Sequence, residues 1–181
     1  GILLALFSIS FLPPLLMTLL YDEKGGEIFL YSFLLLLFLG GAMWALTRQQ
    51  DLALNISDGF IITTMFWVVL ACAGSIPFYF FTGLNISDAI FESVSGITTT
   101  GATTIVGLDE MPKSILMYRQ LLQWIGGMGL IVLAVAVMPA LGIGGGQLYK
   151  MELPGSHGNQ KLTPRIADSA QALWKIYVGL T

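Results

Sequence analysis

Two stretches, Ile28 to Leu46 and Phe60 to Phe81, are long enough to cross a bilayer and carry no charged side chain. This constrains the chain more than any other feature, because a helix needs about 20 apolar residues to span the roughly 30 Å hydrocarbon layer. Ile2 to Leu20 is a third such run, broken only by Ser8, Ser10 and Thr18, and Pro13 and Pro14 predict a kink in it. It ends in Tyr21-Asp22-Glu23-Lys24, not in the small residues of a signal-peptide cleavage site. Ser114 to Leu141 is a fourth, with Arg119 near its start. With 55% hydrophobic and 10% charged residues, the chain reads as an all-α membrane protein. A net charge of -3 offers no basic surface, so nucleic acid is excluded as a partner. No paired carboxylates or Ser/His couple face one another within the runs, which argues against an enzyme. Cys72 is the only cysteine, so no intrachain disulfide or thiol cluster can form, and it is expected to be a small buried hydrophobe. The chain starts inside an apolar run and stops as another begins, and so reads as a piece of a longer protein.

Cytoplasmic loops carry the excess of Lys and Arg. Lys150, Lys161, Arg165 and Lys175 follow the fourth run, whereas Tyr21 to Glu27 holds Lys24 against Asp22, Glu23 and Glu27. Residue 1 is therefore expected on the cytoplasmic side. The expected organisation is two leading transmembrane helices over 1–46, a cytoplasmic link over 47–59, a pore repeat over 60–142, a second link over 143–169, and the start of another transmembrane helix over 170–181. Within the repeat, a helix over 60–81 leads to a re-entrant helix and filter over 85–105 and a closing helix over 114–141.

The re-entrant element is inferred from Gly83 to Lys113, which fits neither a polar loop nor a crossing. Asn85 or Ser87 can cap a helix whose pattern of Ile90, Phe91, Val94 and Ile97 runs to about Gly96, a length of roughly 15 Å, or half the membrane. The β-branched, glycine-interrupted stretch from Ile97 to Thr104 then predicts extended chain, which must return to the outer face. Irregular backbone at that depth is tolerated only where protein buries it or where it lines a watery cavity. A ring of carbonyls that replaces an ion's hydration shell meets the second condition, and the negative end of the short helix favours a cation there. The carbonyls of Thr99, Thr100, Gly101 and Ala102, flanked by Thr98 and Thr103, are the expected metal-binding set. One hairpin supplies one carbonyl per ring of four. Either four copies assemble or further repeats follow in the same chain, and the apolar restart from Ala170 to Leu180 favours the latter. A rival reading is an ion-coupled secondary transporter, such as a symporter, with helices broken at Pro13-Pro14 or Pro77. The two Leu-Asn-Ile-Ser-Asp segments, 54–58 and 84–88, each precede a helix and read as capping devices, not a duplication.

Three motifs in order resemble a known family. Phe91-Glu92-Ser93-Val94-Ser95-Gly96-Ile97-Thr98-Thr99-Thr100-Gly101-Ala102-Thr103 is similar to the first pore loop of the TrkH-type membrane subunits of the Trk/Ktr/HKT potassium transporter superfamily. Tyr118 to Gly129 is similar to the helix that follows it. Glu152-Leu153-Pro154-Gly155 and Lys161 to Ile166 are similar to the cytoplasmic link before the second repeat. The resemblance implies potassium uptake as the function, K+ as the transported ion and a bacterial inner (plasma) membrane location. It also implies four repeats around one pore, a homodimer and a cytosolic nucleotide-binding partner of the TrkA type. Gly101 would be the filter glycine; relatives with serine there tend towards sodium.

Supporting residues have less exotic readings beside these. Glu92 adds charge near the pore or, preferably, anchors backbone donors around the filter. Arg119 pairs with Glu92, Asp109 or Glu110, or snorkels to the outer interface. Gly126, Gly127 and Gly129 read as a close-packing surface against the hairpin, ahead of a hinge. His157 reads as solvated, and the sequons at Asn55 and Asn85 as caps or chance.

Overall fold

A computed structural model of the chain describes residues 1–48, 56–137 and 162–181. Among these every regular element is helical: α1 (Ile2–Ser8), α2 (Leu12–Leu20), α3 (Gly26–Thr47), α4 (Ile56–Thr82), α5 (Ile86–Ile97), α6 (Lys113–Val137) and α7 (Leu162–Leu180), with 3-10 turns at Ile9–Phe11 and Leu108–Glu110. Ile2–Leu20, Gly26–Thr47 and Thr64–Thr82 are long and apolar enough to cross a membrane. The chain divides into two compact units, Gly1–Trp124 and Ile125–Thr181. In the second unit α7 begins at Leu162, earlier than the restart expected at 170. The link containing Lys150, His157 and Lys161 lies outside the described residues, as do Asn55 and the end of the fourth apolar run.

The 3-10 interruption of the first run arises from local chemistry. Pro13 and Pro14 bring no N–H to the carbonyls of Ile9 and Ser10, and their rings press on the turn before them. The backbone answers by tightening into the 3-10 turn at Ile9–Phe11. α3 returns antiparallel to α1 and α2. A Cβ on Gly40 would lie 2.6 Å from the Ala5 nitrogen, and one on Gly1 would lie 2.5 Å from the Trp44 nitrogen. These backbones touch because small residues let them, which is how membrane helices gain packing energy when lipid is as apolar as their side chains. Outward residues such as Phe38, 73% exposed, face away from this contact. Cys72 does too, so the expectation that it would be buried is corrected. The inward stripe of α4 is Leu70, Ala73, Gly74, Pro77 and Phe78, and Cys72 falls off it. Hydropathy could not tell the two faces apart, since both are apolar.

α4 passes through Pro77 without a break. The ring leaves the Ala73 carbonyl without its helical donor, and the neighbouring Gly74 carbonyl accepts the Tyr118 hydroxyl at 2.8 Å. Tyr118 is the hub of the unit. Phe11 stacks on it with centroids 5.5 Å apart, Phe29 meets it edge-on at 5.7 Å, and Phe78 lies tilted at 5.2 Å. Such pairs contribute about 0.5–1.5 kcal/mol each beyond area burial, so this cluster ties the leading helices to α4 and α6.

A second tie lies at the end of the first unit where α2 turns into α3. The Glu23 carboxylate accepts the Lys113 amide at 2.7 Å and the Ser114 amide at 3.1 Å, capping α6 from a distant part of the chain. Lys113 Nζ sits 3.9 Å over the Tyr21 ring. Partial burial raises the Glu23 carboxyl, but hydrogen bonds from Ser114 and Lys113 and the Lys113 charge outweigh it, holding the group below its ordinary value. A carboxyl lowered on folding contributes stability above its unfolded pKa and loses it as pH falls through the folded one.

Two outcomes are expected. Gly40→Val should force α1 from α3 and lower stability by about 1–3 kcal/mol, read as a fall in Tm in detergent. Glu23→Gln should flatten the acid arm of the Tm–pH profile below the usual carboxylate range while leaving the neutral-to-alkaline arm in shape.

Candidate functional site

Between α4 and α6 the chain enters, turns and returns to the same end. Asn85 caps α5: its Oδ1 accepts the Asp88 amide at 2.9 Å. α5 has 12 residues, about 18 Å at 1.5 Å per residue, too short to cross. Its buried face is Ala89, Glu92, Ser93, Gly96 and Ile97, while Phe91 and Val94 point outward. The apolar spacing marked the helix correctly, yet the small residues are the ones packed inside this chain. A Cβ on Gly74 would lie 2.5 Å from Ser93 Oγ, and one on Gly96 would lie 3.0 Å from Leu122 Cβ, so α5 is wedged between α4 and α6.

α5 ends in a Schellman motif. The Thr99 amide donates to the Gly96 carbonyl at 2.9 Å and the Thr100 amide to the Ser95 carbonyl at 2.9 Å. The left-handed position is occupied by Thr99, φ +59°, where glycine is usual. A β-branched residue there costs on the order of 1–3 kcal/mol. Gly101 has φ +75°. A Cβ at Gly101 would meet only Gln123 Nε2, at 3.7 Å, so backbone conformation, not space, demands glycine. That contact sets the tip level with Gln123, ten residues past Lys113, or about 15 Å along α6.

Two anchors hold the returning limb. Glu92 Oε1 accepts the Thr104 amide and the Thr103 hydroxyl, each at 2.6 Å, and Oε2 pairs with Arg119 Nε at 2.9 Å. Of the partners weighed for Arg119, Glu92 is the one it meets, and both residues are buried, 1% and 7% exposed. Snorkelling to the interface is thereby excluded. The Ser95 hydroxyl donates to the Ala102 carbonyl at 2.6 Å, engaging one of its lone pairs. Thr98 Oγ1 donates to the Val94 carbonyl and lies 2.8 Å from Thr100 Oγ1. Among the described residues, the carbonyls of Thr99, Thr100 and Gly101 accept no hydrogen bond, and residues 98–104 are all exposed. No described cluster of His, Cys, Asp or Glu could hold a metal ion; the oxygens at the tip are backbone carbonyls and Thr hydroxyls, with the Gln123 amide beside Gly101.

Gly126, Gly127 and Gly129 lie on α6 within the second unit, Gly126 buried and the others half-buried. Ser95 went unnoticed as an anchor although it sits inside the pore-loop motif. Its signal was position: a serine one turn before the helix end, poised to reach a chain that folds back.

The fold defines an all-α membrane protein in which a half-length helix and an irregular return limb are wedged between longer helices. Residues 25–181 match the TrkH family, described as cation transport proteins, and the chain belongs to that family. It is similar to the Trk system potassium uptake protein TrkH of Vibrio parahaemolyticus, with 56% identity over 100% of this chain and 38% of that protein. The protein of the same name in Escherichia coli is 50% identical over the same shares. The crystal structure of the potassium transporter TrkH from Vibrio parahaemolyticus superposes with a TM-score of 0.83, covering 99% of this chain and 36% of that one, at 50% identity in that alignment. The chain therefore spans well under half the length of these relatives.

Removing one partner of the buried pair leaves the other charge stranded. Glu92→Gln and Arg119→Gln should each lower stability by roughly 3–5 kcal/mol, and the double variant by less than their sum, measured as a double-mutant cycle of thermal unfolding.

Proposed function

We propose that this chain supplies the leading helices and first pore repeat of a potassium uptake protein, and that Thr99, Thr100, Gly101 and Ala102 present carbonyls to a dehydrated K+ ion. The observation that carries the reading is the hairpin tip. About 15 Å along α6 from its start, three successive carbonyls have no hydrogen-bond partner among the described residues, while the limb around them is fixed by Glu92 and Ser95. Peptide oxygens at that depth need water or a cation. The names of the relatives narrow the cation to potassium.

Within this reading, residues 1–46 are the two leading helices and 60–142 the first repeat, with 47–59 and 143–169 as cytoplasmic links. Three further repeats complete the ring in the whole protein. The loop at Tyr21–Gly25, the end of α4 and the start of α6 lie at one end of the first unit, since Glu23 meets Lys113 and a Cβ on Gly25 would touch Phe81. This supports a common outer side, with residue 1 cytoplasmic and the protein in the bacterial inner membrane. A homodimer and a TrkA-type regulatory partner belong to the same proposal. Phe91 and Val94, outward on α5, are then surfaces for neighbouring repeats. Helix breakage as a transport device is less well supported, because α4 continues through Pro77 and the 3-10 turn at Ile9–Phe11 lies in the leading run, outside the hairpin.

In the full-length protein, Gly101→Ser should reduce the preference for K+ over Na+ about ten-fold, equivalent to about 1.4 kcal/mol, in competitive uptake by proteoliposomes. Gly101→Ala should destabilise the hairpin by about 1–2 kcal/mol through its positive φ. Unchanged ion preference in both variants would remove Gly101 from the filter.

A further inference from the structure

The leading helices need no part in a filter, yet they grip α6 at two points. Glu23, in the turn between α2 and α3, caps the first two amides of α6. Phe11 and Phe29 close on Tyr118, which is 0% exposed. The next residue, Arg119, points to the hairpin and holds Glu92, and Glu92 holds Thr103 and Thr104 on the return limb. One turn further, Leu122 abuts Gly96, and Gln123 is the nearest neighbour of Gly101.

An α-helix is stiff over two or three turns, so a shift or rotation of α6 at Lys113–Tyr118 moves Arg119, Leu122 and Gln123 together. The Arg119–Glu92 pair is a directional contact and tolerates little displacement. We propose that the leading helix pair positions the first filter segment: Glu23 sets the axial level of α6, the Phe11–Phe29–Tyr118 cluster sets its rotation, and Arg119 and Glu92 carry both to Thr103 and Thr104. Glu23, Phe11 and Phe29 are positioning residues that touch no ion. The inference rests on the filter reading above and goes beyond it by giving residues 1–47 a role in ion discrimination.

The test uses the full-length protein in liposomes, with the preference for K+ over Na+ and total K+ flux measured separately. Glu23→Gln sets an amide NH2 against one of the two backbone donors, and Phe11→Leu keeps the side chain apolar but removes the stacking. Each is expected to lower the preference about three- to ten-fold, the scale of one net hydrogen bond or one aromatic pair, with K+ flux retained. Phe38→Leu, on the outward face of α3, should match the unaltered protein. Gly101→Ser serves as the reference for the filter itself. If Gly101→Ser changes the preference while Glu23→Gln and Phe11→Leu lower only Tm, the leading pair is a plain anchor and the inference is overturned. If Gly101→Ser also leaves the preference intact, the filter reading falls and takes this inference with it. Should Phe11→Leu fail to accumulate, Glu23→Gln decides the matter alone, because its side chain lies in a turn outside the packed core.

Discussion

A carboxylate and a guanidinium sit side by side in the interior of this unit, and the return limb of the hairpin hangs from them. Neither Glu92 nor Arg119 is affordable alone at such depth, since an unpaired buried charge costs several kcal/mol. Together, at 2.9 Å, they form a fixed point. The spare oxygen of Glu92 then takes the Thr104 amide and the Thr103 hydroxyl, which have no strand or helix to satisfy them. Irregular chain wedged between long helices thus obtains its partners from one side chain.

The other limb is held by backbone geometry. The Schellman turn after α5 turns the chain through Thr99 and Thr100, and the Ser95 hydroxyl ties Ala102 back to the helix. Strain at Thr99 and the positive φ at Gly101 persist because both flanks are fixed. Among the described residues, the oxygens left over lie between the Schellman turn and the Ser95–Ala102 bond, at Thr99, Thr100 and Gly101. Wedging of α5 between α4 and α6 through Gly74 and Gly96 keeps this arrangement rigid.

Much of the organisation was legible in the residue order. Apolar length marked the helices, Pro13-Pro14 the interruption of the first run, Asn85 or Ser87 the start of α5, and the glycine-interrupted Thr stretch its end. The choice of partner for Arg119 was not legible: Glu92, Asp109 and Glu110 were equally available on paper, and only the wedge of α5 brings Glu92 within reach. The cap on α6 was invisible for a similar reason, because Glu23 lies 90 residues from the amide it meets. Burial misled at Cys72, which faces outward, since in a membrane chain apolar residues cover lipid-facing and protein-facing surfaces alike.

Residue order by itself determined what is local: which runs are long enough to span, where rings forbid a straight helix, and where β-branched residues and glycine end α5 and begin irregular chain. Those follow from propensity, hydrophobic length and sterics within a few residues. Tertiary structure alone decided which charges pair, which small residues let backbones touch, and which carbonyls are left open at the tip. These depend on distances between segments far apart in the chain, and such distances exist only once the helices have packed.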